Sequence, residues 1–295
     1  MKTIITSLLI IAVFVFADQS GVDFLKIGVG ARPMAMAGAF AGVAEGVEAG
    51  YWNPAGLTQI KHIELSATHL QWSSDIMYEF LTYGQKFGNI GTIGASIFYL
   101  NIGDIDGRDE FGQPVIGVKA YDACGMISFA RALKERLNVG ANVKLFQEKI
   151  GDDNALGYAA DTGGLFFLGK AGIGLNFQNL GMKMKFIDEE FSLPMTVKLG
   201  TSFRPIALPL LLALDGDYQI INERGAVHFG AEYWIKEMVA IRAGYQYKTK
   251  DDELGVLNGL GAGLGVKYMK LGIDYGYEPS PELGDIHRIS LKVKI

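Results

Sequence analysis

The sequence predicts an all-β chain: a transmembrane antiparallel β-barrel of about 14 strands with an N-terminal segment in its lumen. Three observations carry this. The chain opens with an export-type leader, about 240 residues then alternate with period two, and glycine is unusually abundant. Of 295 residues, 39 are Gly, close to double the roughly 7% background. A helical protein tolerates that load poorly, because each interior Gly costs about 1 kcal/mol against Ala. Disorder is excluded by 49% apolar content with 17 Phe, 13 Tyr and 3 Trp. The net charge of −5 gives no basic footprint, so nucleic acid is not an expected partner. The single cysteine, Cys124, rules out an internal disulfide framework and a Cys-built zinc site.

Residues 1–17 begin Met-Lys-Thr, continue through the apolar run Ile4–Phe16 and end at Ala17. A basic start, a short apolar core and small exit residues describe a cleaved secretory signal. An uncleaved anchor is the weaker alternative, since about 20 apolar residues are needed to span. Leu208–Leu214 is the greasiest later run and is far too short for a spanning helix. The expected location is therefore the bacterial outer membrane, reached by export.

Residues 18–57 do not alternate. They are dominated by Ala and Gly from Ile27 to Gly50, then read Tyr-Trp-Asn-Pro-Ala-Gly-Leu over 51–57. Small residues let backbones approach closely, so this stretch suits a plug inside a barrel. Rows of Gly that share a strand face, Gly259, Gly261, Gly263 and Gly265, or Gly172 and Gly174, would make room for it. The same rows would also serve to relieve twist at barrel corners. In a lumen, Arg32, Glu45, Glu48 and Asn53 should meet inward charges such as Glu232, Arg242 and Asp274, because a buried charge needs a partner. Asn53-Pro54 also reads as a turn that opens the first strand.

From residue 58 onward the chain reads as barrel. Strands are expected to start near 62, 77, 90, 121, 136, 156, 170, 194, 208, 225, 238, 258, 269 and 286. In the stretch 238–248, Val239, Ile241, Ala243, Tyr245 and Tyr247 oppose Ala240, Arg242, Gly244, Gln246 and Lys248. That alternation is a strand signature. The spacing of roughly 17 residues per strand and turn suits the long strands of a membrane barrel. Apolar faces end in Tyr or Trp, as at Tyr233 beside Trp234, and polar faces mix Gly with both charge signs. Together with a mean hydropathy of +0.19, this favours an apolar exterior touching outer-membrane lipid and a polar lumen. Asn101–Lys119 reads as one long loop. Its Asp104, Asp106 and Glu110 fit a calcium loop only in part.

No catalytic constellation is expected. His62, His69, His228 and His287 are spread along the chain, and Ser66 and His69 point to opposite faces of one strand. No cofactor and no metal are called for.

The run Phe24–Phe40 followed by Trp52-Asn53-Pro54-Ala55-Gly56-Leu57 resembles the PorV/PorQ group, within the wider FadL-like family of outer-membrane barrels. The resemblance implies a fourteen-stranded barrel closed by an N-terminal hatch, with Arg32, Trp52, Asn53, Pro54 and Gly56 as hatch-motif residues. It implies two activities. One is a type IX secretion role, docking or exporting secreted cargo proteins alongside secretion-system components. The other is FadL-like passage of hydrophobic small molecules such as long-chain fatty acids. The chain departs from FadL-like transporters in being shorter and in ending at Ile295 rather than at an aromatic residue.

Overall fold

The computed structural model describes residues 20–72, 76–108, 114–249, 256–280 and 284–295. The leader at 1–17 and the tip of the 101–119 stretch, 109–113, lie outside the described residues.

Fourteen antiparallel strands close into a barrel. In chain order the strands are β1 (Ile63–Trp72), β2 (Ile76–Phe87), β3 (Gly91–Arg108), β4 (Pro114–Lys134), β5 (Leu137–Ile150), β6 (Asp153–Leu168) and β7 (Ala171–Leu180). A small separate hairpin follows, β8 (Met184–Phe186) with β9 (Glu189–Phe191). The barrel resumes with β10 (Thr196–Phe203), β11 (Leu210–Gln219), β12 (Arg224–Ile235), β13 (Val239–Lys248), β14 (Leu260–Tyr268), β15 (Leu271–Glu278) and β16 (Ile286–Lys294). β1 closes on β16, from Glu64 opposite Lys294 to Trp72 opposite Ile286. No edge strand is left open within the ring, which is the condition for a sheet to cross lipid.

The two faces are inverted relative to a soluble barrel. Outward positions are apolar: Leu199, Leu214, Ile241, Leu264, Ile273 and Leu291 are exposed on the wall. Inward positions carry buried polar groups, Lys144, Asp161, Asn176, Asp215, Glu232, Arg242 and Asp274, and on β1–β5 an apolar sector of Leu70, Tyr78, Phe80, Phe98 and Phe146. That distribution is the one a lipid-facing barrel requires. Tyr233, Tyr247 and Tyr275 face outward, whereas Trp234 turns inward, where the Arg242 guanidinium lies 5.8 Å from its ring.

The stretch Asn101–Lys119, expected as a loop, is largely strand. β3 runs on to Arg108 and β4 begins at Pro114, so the two extend one long hairpin. Register shifts between Asn101 and Gly103, and again between Ile105 and Gly107, explain the misreading. Each bulge inserts a residue and flips the alternation, so the period-two signal breaks while pairing continues. Two smaller differences have local causes. Gly259 closes a 3-10 turn (Val256–Gly259) ahead of β14 and so drops out of the Gly row. His62 precedes β1.

Residues 20–60 fill the barrel interior. They form short helices, α1 (Ala31–Ala35) and α2 (Ala49–Trp52), with 3-10 turns at Asp23–Lys26 and Pro54–Gln59. Proline at the start of the last turn and Asn53 capping it set that turn beyond Leu57, and Ile60 is still fully buried. The wall glycines trace this path. A Cβ on Gly244 or Gly174 would overlap the backbone of Met36 or Ala41. One on Gly261 would sit 2.6 Å from the Met34 carbonyl oxygen. These glycines are there for the close approach of a second backbone.

Replacing Gly244 by Leu should therefore lower barrel stability by about 1–3 kcal/mol, the range for overpacking. Gly125, whose Cβ would meet nothing within 4 Å, should accept Ala with a change below about 0.5 kcal/mol. Thermal unfolding of the two variants in detergent, read by the heat-modifiable gel shift, checks the contrast.

Candidate functional site: the occupied lumen

An irregular backbone inside a barrel has no strand neighbour to bond with, so the wall side chains must satisfy it. They do so from β5, β7, β10, β11, β12 and β16. Asn142 Nδ2 donates to the Gly50 carbonyl at 2.7 Å, Asn176 Nδ2 to the Trp52 carbonyl at 2.7 Å, and Gln178 Nε2 to the Tyr51 carbonyl at 2.6 Å. Ser202 Oγ donates to the Gly42 carbonyl at 2.8 Å. In the other direction, the Ala41 amide donates to Asp215 Oδ2 at 2.5 Å and the Ala31 amide to Ser290 Oγ at 2.8 Å.

The Asn53-Pro54 element is the hub of this arrangement. Asn53 Oδ1 accepts from the Ala55 amide at 3.2 Å, which is the local turn. Its Nδ2 donates to the Ala41 carbonyl at 3.2 Å and to the Gly164 carbonyl of β6 at 3.0 Å. Asn53 thus meets backbone carbonyls, not the lumenal charges expected of it. Pro54 packs where Gly140 and Gly163 leave room, and Gly56 lies against the Ala44 backbone. Trp52 Nε1 donates to the Val29 carbonyl at 3.0 Å, so the indole pins the start of the segment to its end.

Toward the end of the barrel that carries the chain's C-terminus and the short turns, an ion network ties the segment to the wall. Arg32 is held by Glu232 through two bonds, Nε and Nη2 each at 2.7 Å, and its Nη2 also reaches Glu45 at 2.6 Å. Glu45 bonds Arg204 at 2.7 Å. Glu232 accepts from Arg242 Nε at 2.6 Å, and Arg242 Nη1 donates to Asp274 at 2.7 Å. Lys292 bridges Asp274 at 3.0 Å and Glu48 at 2.6 Å. Arg32, Glu45 and Glu48 meet the inward charges Glu232, Arg242 and Asp274, as expected of them, in one circuit in which cations and carboxylates alternate.

Burial pushes the Glu45 carboxyl up, but Arg32 and Arg204 outweigh it and hold the group below the usual carboxylate range. Burial opposes the charge of Arg32 too, yet Glu232 and Glu45 raise its pKa well above the ordinary value.

Two cavities flank the segment. One, of about 330 Å³, lies at the short-turn end and is lined by Arg32, Glu45, Glu48, Trp234, Arg242 and Asp274 among others. The other, of about 310 Å³, lies at the opposite end, above Met34, Gly38 and Trp52. Several lumenal groups had gone unremarked in the sequence. Lys144 Nζ bonds Asp161 at 2.8 Å, deeply buried, and Asn142 supports the same carboxylate at 2.8 Å. His228 donates between Ala37 and Asp217. Their signal was present as polar side chains at inward positions of the alternation. Of the remaining histidines, His69 and His287 face outward, paired with Glu79 and Tyr275 respectively.

No family model and no curated protein matches the chain. Among solved structures, the Ralstonia pickettii toluene transporter TbuX aligns at a TM-score of 0.67 and 14% identity, covering 91% of this chain and 98% of that one. The Pseudomonas putida toluene transporter TodX aligns at 0.65 and 13%, covering 90% and 97%. A Pseudomonas aeruginosa FadL homologue aligns at 0.58 and 10%, covering 87% and 96%. At these identities the likeness is one of fold.

Replacing Arg32 by Ala removes one of the two cations on Glu232 and on Glu45, which keep Arg242 and Arg204, and should destabilise the folded barrel by about 1.5–3 kcal/mol, the range for hydrogen bonds to charged groups. Cysteines placed at 32–50 should then react faster with an impermeant thiol reagent than in the parent. Acid should act through Glu45 in the same direction. Its depressed pKa means the contribution is complete above the ordinary carboxylate value of about 4.3 and fades as pH falls through the lower folded value. Melting temperatures across this range should show the acid loss, and Glu45→Gln should flatten it.

Proposed function

We propose that this protein is an outer-membrane channel for small hydrophobic molecules, with residues 18–57 acting as a hatch. The observation that carries the reading is a lumen occupied by one continuous segment, with a cavity on each side of it, in a barrel whose fold neighbours include two toluene transporters. Short turns face the periplasm in such barrels and longer connections face outside. The Trp52 cavity is then the outer vestibule and the Arg32 cavity the inner one.

Arg32, Trp52, Asn53, Pro54 and Gly56 hold the hatch, and Glu232, Arg242 and Asp274 anchor it. A ligand that enters the outer cavity passes only when part of the hatch shifts. The ion circuit sets that threshold, because its charges must exchange partners rather than lose them. No step in this reading needs catalysis, a cofactor or a metal.

The secretion reading rests on the resemblance of residues 24–57. Docking of cargo needs an exposed outer surface, and the one long loop expected for it, Asn101–Lys119, has its described residues as extensions of β3 and β4. This moves the balance toward transport. Cells expressing the protein in their outer membrane should take up labelled toluene several-fold faster than vector controls. Uptake equal to the control overturns the reading, as does co-purification of secretion components with no effect on uptake.

A further inference from the structure

The outer cavity has a charge character that a hydrocarbon does not use. Among the described residues its lining side chains include the cations Lys26, Lys198 and Arg224 and one carboxylate, Asp217, in a chain whose net charge is −5. Much of what could balance those cations is already committed. Asp217 Oδ2 accepts from His228 Nε2 at 2.6 Å, and His228 Nδ1 is bonded to the Ala37 carbonyl at 2.7 Å. Lys26 has its own partner in Asp23 at 2.7 Å. Lys198 reaches Asp217 only at 3.8 Å, with its side chain 14% exposed.

The apolar part of the cavity is equally specific. The Lys198 ammonium lies 5.0 Å from the Trp52 ring centroid. Gly28 and Gly38 pack closely against the far edge of that indole: a Cβ on Gly28 would sit 3.2 Å from Trp52 Cη2, and one on Gly38 3.4 Å from it. Met34 and Ala37 complete this side. The cavity, of about 310 Å³, thus sets Met34, Ala37 and Trp52 beside cations and side-chain amides. A neutral hydrocarbon there would strip water from Lys198 and return no hydrogen bond. An anion returns a charge-assisted one, and a cleft lined by one sign of charge concentrates that ion.

We propose that the outer cavity binds a small aromatic carboxylate, its ring beside Trp52 and its carboxylate on Lys198 and Arg224. This rests on the transport reading and names the substrate class that the vestibule selects. The test uses the purified full-length protein in detergent, titrated calorimetrically with sodium benzoate and with its neutral counterpart methyl benzoate, each against an empty-micelle blank. Benzoate should bind at least tenfold more tightly than methyl benzoate. Lys198→Met and Arg224→Gln should each reduce that preference several-fold, while Lys170→Gln, in an exposed turn, should keep it. Arg224 is exposed, so its variant retains the heat-modifiable fold even if Lys198→Met does not. Equal or tighter binding of methyl benzoate overturns the proposal, as does a preference untouched by Arg224→Gln. If toluene uptake persists in that case, the charge selectivity alone has failed. If toluene uptake is also absent, the transport reading has failed with it.

Discussion

The whole interior depends on one requirement: an irregular backbone enclosed by a barrel must find a partner for each of its amides and carbonyls. Water is largely excluded, and an unpaired buried polar group costs about 1–3 kcal/mol. The wall answers with side-chain amides and hydroxyls, Asn142, Asn176, Gln178, Ser202 and Ser290, each aimed at a named backbone group of residues 20–60. Those bonds need the two backbones close together, and that closeness is possible because the wall positions between the donors are glycine. Polar donors and glycines are therefore two halves of one design, alternating along the inward face of the same strands.

The ion circuit follows from the same enclosure. A lone buried charge is costly, whereas a chain of alternating cations and carboxylates leaves none unpaired. Arg32 shares Glu232 with Arg242, and Lys292 shares Asp274 with Arg242, so each wall charge serves more than one partner. Such sharing fixes where the segment sits. It also offers substitute partners when one contact breaks, which suits a part that holds firmly and still moves. At the opposite end the segment is held mainly by aromatic packing, Tyr51 on Trp52 and on Phe98, with ring centroids 5.2 and 5.9 Å apart. The segment is thus held by charge at one end and by apolar contact at the other.

This asymmetry gives the two cavities different chemistry. The inner one lies within the charge circuit. The outer one sets an aromatic edge beneath cations. The fold that the chain shares with toluene transporters accounts for the barrel and the filled lumen; the side chains around Trp52 and Arg32 belong to this chain's own sequence.

Much of the architecture was legible from local pattern. Side chains of a strand alternate by geometry alone, so the fourteen strands and their inward and outward faces could be read residue by residue, as β13 shows with Ile241 outward and Arg242 inward. The Ala and Gly run at 27–50 announced a segment built for close packing, and the polar residues at inward positions announced a lumen. What could not be read was which partner each charge takes. That Arg32 meets inward charges such as Glu232 was expected from the cost of burying a charge, but the sharing of Glu232 with Arg242 and the pairing of Glu45 with Arg204 depend on barrel closure and on the path of the segment, neither of which any local period encodes. Bulges hid the length of β3 and β4 for the same reason: alternation reports phase along one chain, while hydrogen bonding to a neighbour continues through a phase change. Asn53 shows the division within one residue. Its turn is local and was expected, but its bonds to Ala41 and Gly164 exist only because the closed barrel brings three distant backbones to one point.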